Sequence, residues 1–351
     1  TQPILSLTNE IIRRATYPYD KELYSRKSGS AFPTIIQAEN EQQQSQFIVQ
    51  QILEYREAGL PLDEIAVLMR SGFHSFDLEI ELNRANIPYQ KFGGFKFIET
   101  AHVKDVIAHL RVLVNPKDAV SWNRILLLLE GVGPRTANKV IEALVSGAVT
   151  LQTRQNLKEI VRGDEQISML FSLLARLDES TATPGEKVWQ IIDYYRPQMK
   201  KKYDDYKKRL KDIETMGSIA ERYRSVPALL ADMAIEPPSE SVEDIVPTGS
   251  ETEFLTLSTI HSAKGLEWGA VFLLWALDGR FPPVRAFESE ESLEEERRLF
   301  YVACTRAKER LFITYPINIF DRESGMVLGK VSRFLDGIGE ELAERYFLAD
   351  E

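Results

Sequence analysis

Cysteine is nearly absent: Cys304 stands alone in 351 residues, which excludes an internal disulfide and suits a reducing cytosol. Histidine is also scarce. The four histidines are widely scattered and, with one cysteine, offer no metal-ligand spacing. No apolar run reaches membrane-spanning length, so no membrane partner is expected. The opening Thr1-Gln2-Pro3 is neither a signal peptide nor a natural initiator, which leads us to expect an excised piece of a longer protein. Positive charge is in deficit: the formal net charge of −10 argues against a protein that coats nucleic acid with its whole surface, but leaves room for local basic tracks. No GxxxxGK[S/T] stretch occurs anywhere, so the chain has no phosphate-cradling loop of its own.

Apolar residues make up 44% of the chain, enough for two domains with real cores. In the first hundred residues helix and strand signals alternate. Leu5 to Arg14 has helical spacing, Thr34 to Ala38 reads as a strand, and Phe47, Ile48, Ile52 and Tyr55 stripe a helix ending near Gly59. Ile65 to Met69 reads as a buried strand, followed by a helix through Leu78, Ile80, Leu82 and Ala85. This rhythm predicts a parallel α/β sheet. From about Val103 to Ser250 strand signals vanish and amphipathic helices dominate, such as Val188 to Tyr195 and Tyr203 to Tyr223. A polar, Pro-punctuated exit follows at Glu236 to Glu240 and Pro247 to Ser250. Strands then return at Phe254 to Ser258, Ala270 to Ala276 and Arg310 to Tyr315. The economical fold is one α/β domain, residues 1–104 and 251–351, interrupted by an all-helical insertion, residues 105–250.

Two segments carry chemistry. In Thr259-Ile260-His261-Ser262-Ala263-Lys264-Gly265-Leu266-Glu267 a strand ends and polar residues cluster at a turn. Ligands of open α/β sheets gather beyond the carboxyl ends of strands. There Gly265 would let backbone approach a phosphate, and Glu267 would accept hydrogen bonds from ribose hydroxyls. An ordinary loop with Ser262 as a cap and Lys264 solvated has the same spacing. In Glu294 to Arg310, Leu299, Val302 and Ala303 form an apolar helical face, while Arg297, Arg298 and Arg306 occupy others. A permanently charged guanidinium beside a nucleotide cleft suits a γ-phosphate. A surface helix laced with Glu–Arg pairs would read alike. The acidic run Glu288 to Glu296 suits the positive N-terminus of this helix. Cys304 reads as a small buried filler.

These two segments resemble the last two signature motifs, TxHSAKGLE and VAxTRA, of UvrD/Rep/PcrA-type superfamily 1 DNA helicases. Ile65 to Asp105 also follows that family's order, through Ile87-Pro88-Tyr89, Gly93-Gly94-Phe95-Lys96-Phe97 and Val103-Lys104-Asp105. It departs from the usual YRSNAQSR, since Gly72, His74 and Phe76 replace the Asn, Gln and second Arg. The resemblance implies a RecA-like second motor domain with a mobile helical accessory domain touching duplex DNA. It implies a 3′-to-5′ DNA helicase in which ATP lies between two motor domains. It implies Arg306 at the γ-phosphate, Glu267 at the ribose, and Thr259, His261, Arg70 and His74 near single-stranded DNA. A family Q-x-Y-R-S/T motif with an adenine-stacking Tyr would end just before Thr1. Mg²⁺ and the phosphate loop would belong to the N-terminal motor domain, so neither ATP nor Mg²⁺ is expected to bind this chain tightly alone. Partners would be single-stranded DNA, the single-strand/duplex junction and that N-terminal domain, in the cytoplasm. A helicase-derived DNA-binding module without a motor, and a helicase subunit of a helicase–nuclease complex of the AddAB/RecBCD kind, stay open.

Within the helical stretch, Leu127 to Ile141 resembles a helix–hairpin–helix, near residues 127–143. A Gly131-Val132-Gly133 turn would expose backbone N–H groups at the start of the second helix. With Arg135, Thr136 and Lys139 they would hold a DNA phosphate without reading sequence. A hairpin that merely packs has the same signature. Lys200 to Lys202 with Lys207 to Lys211 is locally basic, and a solvated face explains it at least as well, because Asp204, Asp205 and Asp212 interleave.

Overall fold

The computed structural model describes residues 1–16, 23–27, 29, 31–93, 96–157, 165–234, 253–321 and 325–348. The chain forms two compact units, residues 1–95 with 236–351, and residues 96–235.

The first unit is built on a seven-stranded sheet of order β3-β4-β2-β5-β6-β1-β9. Its strands are β1 (Thr34–Ala38), β2 (Ile65–Met69), β3 (Tyr89–Phe92), β4 (Leu255–Thr259), β5 (Trp268–Leu273), β6 (Ala307–Pro316) and β9 (Glu344–Phe347). Every neighbouring pair is parallel. A parallel sheet needs a covering layer on both faces, so its central strands are apolar throughout. β2 and β5 accordingly have no exposed residue. The covering helices are α1 (Gln2–Arg13), α2 (Glu41–Glu57), α3 (Phe76–Arg84) and α11 (Glu290–Thr305). α2 starts on Asn40, whose side chain accepts from the Gln43 N–H. α11 starts on Ser289, whose side chain accepts from the Ser292 N–H, with Glu290 and Glu291 in its positive first turn. A small antiparallel pair, β7 (Ile319–Asp321) and β8 (Met326–Leu328), stands apart from the sheet.

The expected strand Ala270 to Ala276 is cut short. β5 ends at Leu273, and Trp275 takes φ +56, a left-handed conformation rare for a bulky residue. The apolar run continues to Leu277, so its length alone does not betray the break.

The second unit contains α4 (Ala101–Val114), α5 (Ala119–Leu126), α6 (Pro134–Ser146), α7 (Glu165–Glu179), α8 (Pro184–Lys202), α9 (Tyr206–Ala220) and α10 (Val226–Ala234), and no strand among the described residues. Its start at residue 96, not 105, includes the short turn Phe97–Glu99 that leads into α4. The expected exit linker lies outside the described residues. Trp122 stacks on Phe171 at 5.1 Å in its core. Asp105 is the polar hub: buried on α4, it accepts from Arg124 Nε at 2.6 Å on α5 and from the Tyr195 hydroxyl on α8. Buried carboxylates persist only when so satisfied. His109, one turn along, is fully enclosed, and burial pushes its imidazole pKa down.

Among the described residues no helix is long and apolar enough to cross a membrane.

Candidate functional site

The segment from Thr259 to Glu267 crosses the sheet. Thr259 ends β4 level with Met69, the last residue of β2. Ala270 of β5 is level with Ile65, the first residue of β2, so Trp268 lies before the start of β2. Because the strands are parallel, residues 260–267 must return the chain from the carboxyl edge to the amino edge. Ile260 and Ala263 anchor this return in the core, and the Ile260 N–H donates to Met69 O at 3.0 Å. Gly265 has φ +88, which only glycine adopts at little cost. The expectation of one polar cluster beyond the carboxyl ends is therefore corrected. Thr259, His261 and Ser262 belong to the carboxyl edge; Gly265 and Glu267 belong to the amino edge.

At the amino edge the Leu266 carbonyl, just before Glu267, meets Arg306. α11 ends at Thr305, and Arg306 is its C-cap, just before β6. The Trp268 N–H donates to Arg306 O at 3.0 Å, stitching the starts of β5 and β6 together. The guanidinium lies on three neutral oxygens. Nε donates to Val302 O, Nη1 to Leu266 O and Nη2 to Thr305 Oγ1, each at 3.1 Å. No carboxylate among the described residues is ion-paired with it, so its charge is uncompensated. The Leu266 contact holds it against the peptide leading into Glu267, whose side chain is exposed. Thr1 is at the same edge: its backbone nitrogen donates to Lys308 O at 2.8 Å. Behind these groups Glu64 takes Lys308 Nζ at 2.8 Å and the Gly269 N–H at 2.8 Å. The Lys308 ammonium holds the Glu64 carboxyl below its ordinary value, despite partial burial.

The carboxyl edge is assembled differently. Arg70, just after β2, forms two hydrogen bonds to Glu296 of α11, Nε to Oε2 at 2.7 Å and Nη2 to Oε1 at 2.6 Å. The two side chains are only 14% and 8% exposed. This fork-on-fork geometry neutralises Arg70 and ties the end of β2 to α11. His74 is buried and stacks on Trp275 with ring centres 5.0 Å apart and planes 12° apart. Trp275 Nε1 donates to His74 O at 3.1 Å. Arg70, expected near DNA, is thus engaged by a carboxylate, and His74, expected there too, lies inside. Thr259 is nearly buried, and its hydroxyl donates to Ser262 Oγ at 3.1 Å. Gly93 packs onto it: a Cβ there would fall 2.1 Å from Thr259 Oγ1, and its φ is +79. Gly94 and Phe95 lie outside the described residues. His261 is the expected residue that this edge leaves exposed.

In the helical unit the hairpin has its expected geometry. α5 and α6 flank a turn in which Gly131 has φ +84 and Val132 is buried. Gly133 is the N-cap of α6 and supplies no side-chain cap, while Pro134 opens the first turn. Arg135 and Lys139 are exposed and Thr136 is half-buried beside this start. The early N–H groups of a helix have no intrahelical acceptor, so this end presents donors outward.

Three partners escaped sequence reading. Glu296 is hidden in a run of like residues, the left-handed turn at Trp275 in an apolar run, and the Glu64–Lys308 pair in its separation along the chain. Cys304 is buried and burial pushes its thiol up, in keeping with a filler. No group of three His, Cys, Asp or Glu among the described residues could hold a metal ion. An open groove of about 950 Å³ at the start of α11 is lined by Glu288, Glu290, Glu291, Glu294, Glu295 and Glu296 among others. Arg285 and Arg298 also line it, and Arg298 pairs with Glu295 at 3.2 Å.

Residues 1–317 match the model of the UvrD-like helicase C-terminal domain. The chain is 32% identical over 380 aligned positions to the ATP-dependent DNA helicase UvrD1 of Mycobacterium bovis, covering 98% of this chain and 48% of that protein. It is 29% identical to the ATP-dependent DNA helicase PcrA of Staphylococcus epidermidis, covering 99% of this chain and 49% of that protein. A solved structure described as the C-terminal domain of a possible DNA helicase from Lactobacillus plantarum aligns over 98% of this chain and 96% of its own, with 13% identity and a TM-score of 0.33. The chain spans about half the length of the curated relatives it matches. By its sequence from residue 1 to residue 317, this chain belongs to the UvrD-like helicase C-terminal domain family.

Proposed function

We propose that this chain is the C-terminal half of an ATP-dependent DNA helicase that moves 3′ to 5′ along a single strand in the cytoplasm. Residues 1–95 with 253–348 serve as the second motor domain. The helical unit is the accessory domain that meets duplex DNA at the junction. One observation carries the reading: Arg306 rests on the Leu266 carbonyl beside Glu267, with no acidic partner among the described residues. A guanidinium held by neutral oxygens can exchange them for phosphate oxygens, and bonds between charged partners are roughly twice as strong. Glu267 receives the ribose hydroxyls, and Gly265 lets backbone pass close to the nucleotide.

The first motor domain supplies the phosphate loop and holds Mg²⁺. Closure on ATP draws Arg306 to the γ-phosphate, where its fixed charge meets the charge developing on the transferred group. The return segment 260–267 runs from this edge to Thr259 and His261. Opening and closing at one end therefore displaces the single strand held at the other. At the hairpin, Gly131 and Gly133 with Arg135, Thr136 and Lys139 hold a duplex phosphate and leave the bases unread.

The test is strand separation by the full-length protein on duplexes carrying a 3′ or a 5′ single-stranded tail. The expected result is ATP-dependent unwinding of the 3′-tailed substrate alone, and no ATP turnover by residues 1–351 by themselves. Unwinding without ATP, a preference for 5′ tails, or DNA-stimulated turnover by residues 1–351 would overturn it.

A further inference from the structure

The most concentrated positive charge in the helical unit lies at the corner between α8 and α9. Between Arg196 and Lys211 the sequence places eight Lys and Arg against two Asp, in a chain whose net charge is −10. A helix C-terminus favours a cation or two. It does not call for lysines continued into the first turns of the next helix, where Lys207 and Lys211 stand one turn apart as like charges.

Carboxylates neutralise only part of this corner: Arg196 pairs with Asp193 and Glu214, each at 3.6 Å. Asp205 is taken by Arg209 at 2.7 Å. Lys207 and Lys208 are exposed and have no ion-pair partner among the described residues. Lys202 lies over the Tyr203 ring at 5.3 Å, and Arg209 lies over the same ring at 4.1 Å. The corner is thus braced by an aromatic ring while Lys207 and Lys208 stay solvated. It also sits beside the hairpin: Lys201 Nζ donates to Glu130 Oε2 at 2.8 Å, and Glu130 immediately precedes Gly131.

We infer that the α8–α9 corner is a second phosphate-binding surface that extends the hairpin's grip along the backbone of duplex DNA. The partner class rests on the proposed function; the location rests on charge and on the Lys201–Glu130 contact. A duplex is favoured because two phosphate contacts on adjoining elements follow a stiff, regularly charged backbone. The lysines offer point charges without base-reading geometry, so the surface adds affinity and not sequence preference.

The test is equilibrium binding of a fluorescent blunt duplex to the protein from about 50 to 200 mM salt. Unaltered protein is compared with Lys207→Gln/Lys208→Gln and with Lys207→Arg/Lys208→Arg, after each is shown to keep the unaltered thermal transition. The Gln pair should reduce the slope of log affinity against log salt by about 1.8, as expected for two lost phosphate contacts, and weaken low-salt binding by roughly tenfold. The Arg pair should restore both. An unchanged slope in a Gln pair that still binds overturns the inference and leaves the proposed function standing. A change seen with single strands but not with duplex overturns the duplex assignment. Failure of the unaltered protein to bind any DNA overturns both readings.

Discussion

The two edges of the sheet carry an arginine each, and the two are opposites. Arg70 at the carboxyl edge is clamped by both oxygens of Glu296 and nearly buried. Arg306 at the amino edge touches only carbonyl and hydroxyl oxygens, all at 3.1 Å. Both follow directly on an element that packs into the same core, and both sit in motifs that suggest polyanion contact. What separates them is charge compensation. A neutralised guanidinium has little left to offer a phosphate and serves as a tie. An uncompensated one is held ready at a modest cost, because neutral acceptors are easily exchanged.

The comparison can be broken most forcefully at Arg306. Arg306→Ala in the full-length protein should lower ATP turnover by roughly 10³- to 10⁵-fold, the range of arginine-finger losses. Its unfolding free energy should fall by only about 1–2 kcal/mol, for the neutral hydrogen bonds of a half-buried side chain. Steady-state hydrolysis and urea denaturation on the same preparation check both. Glu296→Ala should behave in reverse. It strands the nearly buried Arg70 and should cost about 3–5 kcal/mol in urea denaturation. A change within error there would mean Arg70 is no tie. Gly93→Ala probes the same edge through backbone: a left-handed alanine that collides with Thr259 should cost roughly 1–3 kcal/mol, read as a lowered thermal midpoint. His261→Ala should be the mildest. The side chain is exposed, so stability should move by less than about 0.5 kcal/mol. Single-strand affinity by fluorescence anisotropy should fall by a few fold, and an unchanged affinity would remove His261 from the DNA track.

Much of this arrangement was legible in the sequence, for physical reasons. β1 and β2 appear with their observed bounds: β2 is apolar throughout, as a parallel strand covered on both faces must be, and β1 centres on buried Ile35 and Ile36. β3 and β9 do not announce themselves. Strand-edge positions such as Glu344 and Phe347 are exposed, so burial leaves no pattern on them. Arg306 and Glu267 could be nominated from their motifs, but not their edge of the sheet. That depends on β2 lying between β4 and β5, an order no local pattern encodes. The ion pair of Arg70 is not legible locally because its partner is 226 residues away in sequence. His74 looked polar because its stacking partner, Trp275, is held by a backbone turn that hydrophobicity does not reveal.

The central claim is that Arg306 meets the third phosphate of ATP. The direct measurement is the affinity of the full-length protein for a slowly hydrolysed ATP analogue and for ADP, before and after Arg306→Ala. The account predicts that the substitution abolishes the preference for triphosphate and leaves ADP affinity unchanged. Equal weakening of both nucleotides, or an intact preference, would contradict it.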